Sequence, residues 1–450
     1  MQDGQVNMVS GGTESASGRE AIGRELHAMA TRLFGICRSM TGDGVRETLS
    51  LLREWALFET VEVKTGTQVF DWVVPPEWNV RDAFVKDESG KRVIDFRHSN
   101  LHLVNGSVPV RTSLTWSELK RHLLTLPEQP DRIPYRTTFF KEKWGFCVTQ
   151  IQFDELEAQG ERTYDVLVDT TIEDGSLTYG ECVVRGESTQ EVLFSAHICH
   201  PSLANDNLSG LCIAALLARR LHAMPKRRLT YRFLLAPATI GALTWLAQNL
   251  EELNRIRHGL VLSLLGDAGP LTYKRSRRTK APVDRAAALV LANSGRPFEV
   301  RDFVPWGYDE RQFCSPGIDL PMGCLTRTPA GEFEEYHTSG DDLEFIKADA
   351  LSDSFRTCLE IIDVLENDIV FRNMCPMGEP RLGKHGLYES MPEDADVQEF
   401  QHAVQWVLNL SDGRHSLLDI AERSGMRFAS LCLAAFRLEA CDLIARVGSD

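Results

Sequence analysis

From Glu20 to about residue 57, apolar residues recur at helical spacing (Ile22, Leu26, Met29, Leu33, Ile36), and a break at Gly42-Asp43-Gly44 divides the stretch. This pattern predicts a helical hairpin. The texture then changes to short alternating runs, Val93-Ile94-Asp95-Phe96 and Leu101-His102-Leu103-Val104, with a turn at Glu88-Ser89-Gly90 and a proline-rich crossing over 126–135. Alternation of period two with turn residues between runs predicts a small β-rich domain over 80–173, inserted into the first part of a larger domain. From Thr178 buried apolar runs alternate with helical patterns (192–196, 208–220, 230–235, 240–253, 259–265), the signature of a largely parallel sheet covered by helices. Residues 348–367 predict a long closing helix with Leu351, Phe355, Leu359, Ile362 and Leu365 on one stripe.

After Pro376 three short helical patterns (400–410, 416–424, 427–439) and an apolar finish at 443–447 predict a winged helix. The predicted fold is therefore α/β: a mostly parallel sheet with helices on both faces (19–79 and 174–375), the β-rich insert (80–173) and a winged helix (383–450). The polar, Gly/Ser-rich opening, 1–18, is expected to be a disordered tail.

Composition narrows the partners. A chain of 450 residues with 43% hydrophobic and 25% charged residues is globular and multidomain. Its net charge of -15 disfavours nucleic acid or an anionic membrane as the main partner, because both demand a positive patch. The winged helix is acidic as well, so it is expected to contact protein, either the α/β domain or a second copy in a homo-oligomer. Eleven cysteines without a CxxC pair, no apolar leader and no membrane-length run predict reduced thiols and a cytoplasmic protein.

Candidate chemistry concentrates in Ser195–Gly210, SAHICHPSLANDNLSG, between the run 192–194 and the apolar run 211–218. A loop from a buried strand into a buried helix lies where open α/β sheets place their ligands. It offers His197, His200 and Asp206. Asp267 follows another buried strand, and His337 lies in EEYHTSGDDLE, 334–344. His197, Asp206, Asp267 and His337 are the candidate metal ligands, and imidazole with carboxylate suits Zn²⁺ with an open position. Such an ion acidifies water and polarises carbonyls. His200 is either an alternative ligand to His197, a substrate contact or a structural hydrogen-bonding group. Lys274 and Arg275, in TYKRSRR, are candidates for gripping a substrate carboxylate or phosphate, against the alternative of a solvated turn. Tyr336 is a further substrate-binding candidate.

SAHICHPSLANDNLSG together with EEYHTSGDDLE resembles the zinc aminopeptidase superfamily. More narrowly, WGFC at Trp144, TYKRSRR at Thr272, GYDERQFCSPG at Gly307 and the winged helix resemble a bacterial group of aminopeptidase-like proteins with an inserted small domain. The resemblance implies Asp206 as a bridge between two zinc ions, His197 and Asp267 on one ion, and His337 on the other. One departure stands out. Where superfamily peptidases carry a Glu-Glu pair as base and ligand, residues 233–241 read FLLAPATIG, with no carboxylate.

Three outcomes compete: Glu310 or Asp309 of the GYDERQF loop replaces the missing group, one metal remains and the chemistry differs, or the chain binds without cutting. The leading expectation is a zinc-dependent hydrolase of an amide bond in a small peptide or acyl-amino compound, with Glu310, or Asp309 beside it, as catalytic base. A binding or scaffold protein and a ligand-sensing regulator are the alternatives.

Overall fold

The computed structural model describes residues 15–387 and 397–448. The expected tail falls mostly outside them. Its last residues do not belong to a tail: Ser15 accepts the Gly18 N–H at 3.1 Å and caps helix α1 (Ala16–Phe34), so the α/β domain begins there. Helix α2 (Asp43–Leu52) completes the hairpin and leads to strand β1 (Glu59–Lys64).

The insert is a four-stranded antiparallel sheet made of β2 (Glu77–Lys86), β3 (Arg92–Asp95), β4 (Val110–Thr115) and β5 (Thr163–Glu173), with helix α3 (Gln150–Glu157) before β5. The spatial order is β3-β2-β5-β4. Its own core contains Trp78, Trp116, Phe146 and Tyr164, which is why it forms a separate unit. The sheet begins at Glu77, three residues before the expected boundary.

The chain then runs through β6 (Ser176–Val184), β7 (Glu191–His197), α4 (Gly210–His222), β8 (Thr230–Ala236), α5 (Ile240–Gln248), β9 (Ile256–Leu262), β10 (Leu271–Lys274), α6 (Pro282–Asn293), β11 (Phe298–Arg301), the single turn α7 (Glu310–Phe313), β12 (Met322–Thr326) and α8 (Ala348–Asn367). Eight strands form one sheet in the order β1-β6-β8-β7-β9-β12-β10-β11. The centre, β8-β7-β9-β12, is parallel; β1, β6 and the β12–β10 pair run antiparallel. Period-two alternation sorts the strand residues between two cores. Val192, Phe194, Tyr231, Phe233, Leu260 and Leu262 face the layer with α1, α4, α6 and α8, whereas Leu193, Leu234 and Val261 face the layer with α5 and α7. Every residue of the predicted α8 stripe is buried.

The C-terminal unit comprises β13 (Val370–Asn373), α9 (Val397–Leu410), β14 (Asp412–Ser416), α10 (Leu417–Ser424), α11 (Phe428–Ala440) and β15 (Ile444–Arg446). Strand β13 lies between β14 and β15, so the winged helix starts near residue 369 and not at 383; a four-residue strand before a proline-rich turn left no periodic signal. Its apolar residues, among them Phe400, Leu418, Leu431 and Leu438, belong to the same continuous core as α4 and α8. Arg285 of α6 also reaches Asp419 and Glu422 of α10, each at 2.6 Å. No helix among the described residues is long and apolar enough to cross a membrane.

Candidate metal centre

Strands β7, β8 and β9 point the same way, and His197 is the last residue of β7, level with Ala236 of β8. The chain then crosses the strand ends and enters α4 through an irregular turn, Ala204–Ser209. That turn is tied down on every side. Asn205 accepts the Gly266 N–H at 2.7 Å and donates to Asp267 at 3.0 Å; Asn207 donates to the Leu262 carbonyl at 3.0 Å; Ser209 donates to the Asn205 carbonyl at 2.6 Å. Gly210 makes the close approach possible, since a Cβ there would lie 2.4 Å from the Leu262 carbonyl oxygen. Asp341 accepts the N–H groups of Asn205 and Asp206 at 2.5 and 2.9 Å. Burial drives the Asp341 carboxyl well above its ordinary pKa, with the neighbouring Asp206 adding to the rise against the pull of the amides.

The outcome is an Asp206 side chain with no exposed surface, surrounded by imidazoles. His197 Nε2 lies 2.8 Å from Oδ1, His337 Nε2 lies 3.0 Å from Oδ2, and His200 Nε2 lies 4.0 Å from Oδ2. Donor atoms of His197, His200 and Asp206 all fall within 4.8 Å of one another. Burial works to raise the Asp206 pKa, but His200, His197 and His337 overcome it and hold the carboxyl well below its ordinary range. Burial pushes His200 down to about 3, so its ring is neutral and has a lone pair to offer. Three tyrosines close the space: Tyr308 stacks on His197 at 5.0 Å, Tyr336 stacks on His337 at 4.1 Å, and Tyr135 of the insert packs on both His200 and His337 at 5.0 and 5.1 Å.

His197, Asp206 and His337 therefore converge, with His200 added to them. Asp267 does not join them. Its Oδ1 accepts from the Gly269 N–H and the Thr328 hydroxyl at 2.8 and 2.7 Å, and its Oδ2 accepts from Asn205, so it braces the Asp206 turn from behind. A strand-ending position alone does not reveal which way a carboxylate turns. Glu310 is also misplaced for a base: it is fully buried and paired with Lys274, whose ammonium also donates to the Trp306 carbonyl at 2.5 Å. The same pair removes Lys274 from substrate binding. Arg275 faces Asp302 at 3.6 Å, and Tyr336 alone of the charged or aromatic substrate candidates outside the loop lies at the centre.

Asp309 is differently placed. Its Oδ1 accepts the Thr239 N–H at 2.8 Å, which sets a carboxylate against the very segment, 233–241, that has none of its own. Burial raises it to about 6, against the pull of the Thr239 amide and of His197. Tyr135, Tyr308 and Asp341 escaped the sequence reading. A tyrosine carries no spacing signal, and Asp341 was visible only as one acid in the run Gly340-Asp341-Asp342.

Comparison with known proteins supplies the family. A model described as a domain of unknown function, DUF4910, matches residues 27–368, and a winged helix-turn-helix model matches 369–446. The chain belongs to the DUF4910 family. It is 47% identical over 422 residues to a Clostridium acetobutylicum protein whose name assigns it provisionally to polysaccharide biosynthesis and gives it an aminopeptidase-like domain; the match covers 94% of this chain and 96% of that protein. A crystal structure from the same organism, provisionally named a peptidase, superposes with a TM-score of 0.90 at 46% identity, covering 96% of this chain and 98% of that one. The zinc aminopeptidase of Bacillus subtilis (TM-score 0.55, 12% identity, 76% and 94% covered) and a peptidase M28 precursor of Shewanella amazonensis (0.53, 14%, 78% and 98%) share the fold. This DUF4910 chain is thus an aminopeptidase-like protein with an inserted small domain and a C-terminal winged helix, and the family boundary at 368/369 coincides with the start of β13.

Proposed function

We propose that the chain is a zinc-dependent hydrolase of an amide bond in a small acyl-amino compound or short peptide. The observation that carries this reading is the buried Asp206 carboxylate faced by three imidazoles at the carboxyl edge of the parallel strands. A buried carboxylate is stable only when paired, and a divalent ion among nitrogen and oxygen donors pairs it fully. His197, Asp206, His200 and His337 would hold the metal. When bound, zinc polarises a carbonyl oxygen and acidifies water.

The residues themselves do the rest. Asp206 is shared between His197 on one side and His337 on the other, and Asp341 keeps its turn in place. Tyr308, Tyr336 and Tyr135 wall the centre and restrict water. Asp309, with a pKa brought near neutrality by burial, is the carboxylate suited to take a proton from the attacking water and return it to the leaving amine. Asp309 replaces Glu310 in that role because Glu310 is locked to Lys274. The relative's provisional place in polysaccharide biosynthesis favours an acylated amino sugar over a peptide as the compound cleaved.

The test compares wild type with Asp206→Asn and Asp309→Asn on a panel of aminoacyl amides and N-acyl amino sugars with zinc present. Zinc-dependent turnover lost in both variants is expected. Turnover surviving Asp206→Asn would overturn the reading.

A further inference from the structure

His337 sits in the least regular part of the α/β domain. Between β12 and α8, residues 327–347 contain no helix and no strand, only a single bridge at Thr338. His337 itself adopts a φ of +55°, a left-handed conformation uncommon for a residue with a Cβ. Its support comes from the insert. The Tyr135 N–H donates to the His337 carbonyl at 2.7 Å, the Ile133 N–H donates to the Ser339 hydroxyl at 2.9 Å, and the Ser339 N–H returns to the Ile133 carbonyl at 2.8 Å. Pro134 bridges Thr338, Gln129 donates to the Glu334 carbonyl at 3.0 Å, and Arg132 pairs with Glu335 at 3.0 Å. Gly340 leaves room for this, because a Cβ there would stand 2.9 Å from the Arg132 guanidinium carbon. The Tyr135 ring then joins Leu101 of the insert to Leu203 of the His197 loop in a small core while touching His200 and His337.

We propose that the insert is a working part of the metal centre: the strap 129–135 holds the His337 loop onto Asp206, and Tyr135 is the positioning residue that sets His337 as a donor. The proposal rests on the metal-site reading above for its consequence and on the strap geometry for its cause. Groups that orient metal donors typically change affinity by about 10–100-fold when removed. The phenol oxygen plays no part in these contacts, so ring and backbone are what count.

The experiment uses the full chain as wild type, Tyr135→Phe, Tyr135→Ala, Arg132→Ala, His337→Ala and the Tyr135→Ala/His337→Ala double variant. Zinc affinity is measured by competition with a chelating dye. Hydrogen exchange is measured on the metal-free proteins. Tyr135→Ala is expected to weaken zinc binding at least tenfold, Tyr135→Phe to match wild type, and the double variant to be no weaker than His337→Ala, since both changes remove one donor. In the metal-free proteins, Arg132→Ala and Tyr135→Ala should speed exchange of peptides over 333–341 at least tenfold while those over 191–197 stay protected, which separates a loosened strap from a misfolded chain. Unchanged exchange in both variants, or losses of Tyr135→Ala and His337→Ala that multiply, would overturn the proposal. A wild type that binds no zinc while the exchange pattern appears as expected would overturn the metal reading and leave the strap standing as the brace of the His337 loop.

Discussion

Asp309 accepts the backbone N–H of Thr239 at 2.8 Å, which brings a carboxylate from the loop before α7 to the strand end where the chain's own residues, Ala236 to Thr239, offer none. The replacement proposed for the missing carboxylate is therefore spatial, not sequential. Asn at 309 keeps the accepting oxygen for Thr239 and loses the basic one. Asp309→Asn should therefore retain zinc and fold, and lower kcat by about 10²–10⁴-fold, the usual contribution of a positioned base. Steady-state kinetics beside metal analysis checks it; an active Asn variant would remove Asp309 from the chemistry.

Glu310, one residue on, should behave oppositely. It is fully buried, one oxygen is paired with Lys274 and the other has no hydrogen-bonding partner among the described residues. Removing one member of a buried pair leaves the other charge uncompensated, at a cost of about 3–5 kcal/mol. Glu310→Ala is expected to lower the denaturant midpoint strongly, and Lys274→Met/Glu310→Leu to recover much of the loss. Equal stability of wild type and Glu310→Ala would show that the pair does not hold the loop.

Asp206 and Asp267 can be told apart by metal content. Asp206 faces the imidazoles, whereas Asp267 spends its oxygens on Asn205, Gly269 and Thr328. Elemental analysis of purified protein should find zinc lost in Asp206→Asn and retained in Asp267→Asn, the latter less stable by about 1–3 kcal/mol because buried donors lose their charged acceptor. Zinc lost from both would return Asp267 to the ligand set.

This contrast marks where sequence reading stops. The α/β sheet, the insert and the three C-terminal helices were legible because burial imposes periods of two and 3.6 on the chain, and His197, Asp206 and His337 were legible because loops at strand ends collect chemistry. The direction of a side chain was not. Asp267 and Glu310 occupy plausible positions in the sequence and turn into a brace and an ion pair, through Asn205 and Thr328, 62 and 61 residues away, for Asp267 and through the TYKRSRR segment for Glu310. Strand β13 was missed because four residues carry too little alternation to be read.

Asp309 also makes a pH prediction. Its carboxyl ionises near 3.8 in an unfolded chain and at about 6 in the fold, because burial disfavours the charge. Its contribution to stability is whole below 3.8, declines as pH rises from there, and is gone above about 6; the difference amounts to about 3 kcal/mol. In metal-free protein, Asp309→Asn should thus gain stability relative to wild type between pH 4 and pH 8, whatever the other groups do, since those are common to both. Urea unfolding of the two proteins at the two pH values measures it. A constant difference would mean that Asp309 is not desolvated.

The winged helix gives the last test. Phe428, Leu431, Cys432, Ala435 and Leu438 of α11, the third helix and the one such modules use to read DNA, are buried in the core shared with α4 and α8. Arg285 of α6 binds Asp419 and Glu422 of α10, which ties the module to the α/β domain by its surface as well. From residue 369 to the end there are eight Lys and Arg against twelve Asp and Glu, so phosphate contacts that release counterions are scarce. The full chain should accordingly show no duplex binding with a steep salt dependence, and Arg285→Ala should leave that result unchanged while loosening the domain contact by about 1 kcal/mol, the scale of partly exposed ion pairs. Fluorescence anisotropy with random-sequence duplex between about 50 and 200 mM salt decides the matter. Affinity that falls by about 10³-fold or more over that range would mean that α11 or its flanks reach phosphate despite the packing, and the module would have to be read as a DNA-binding one.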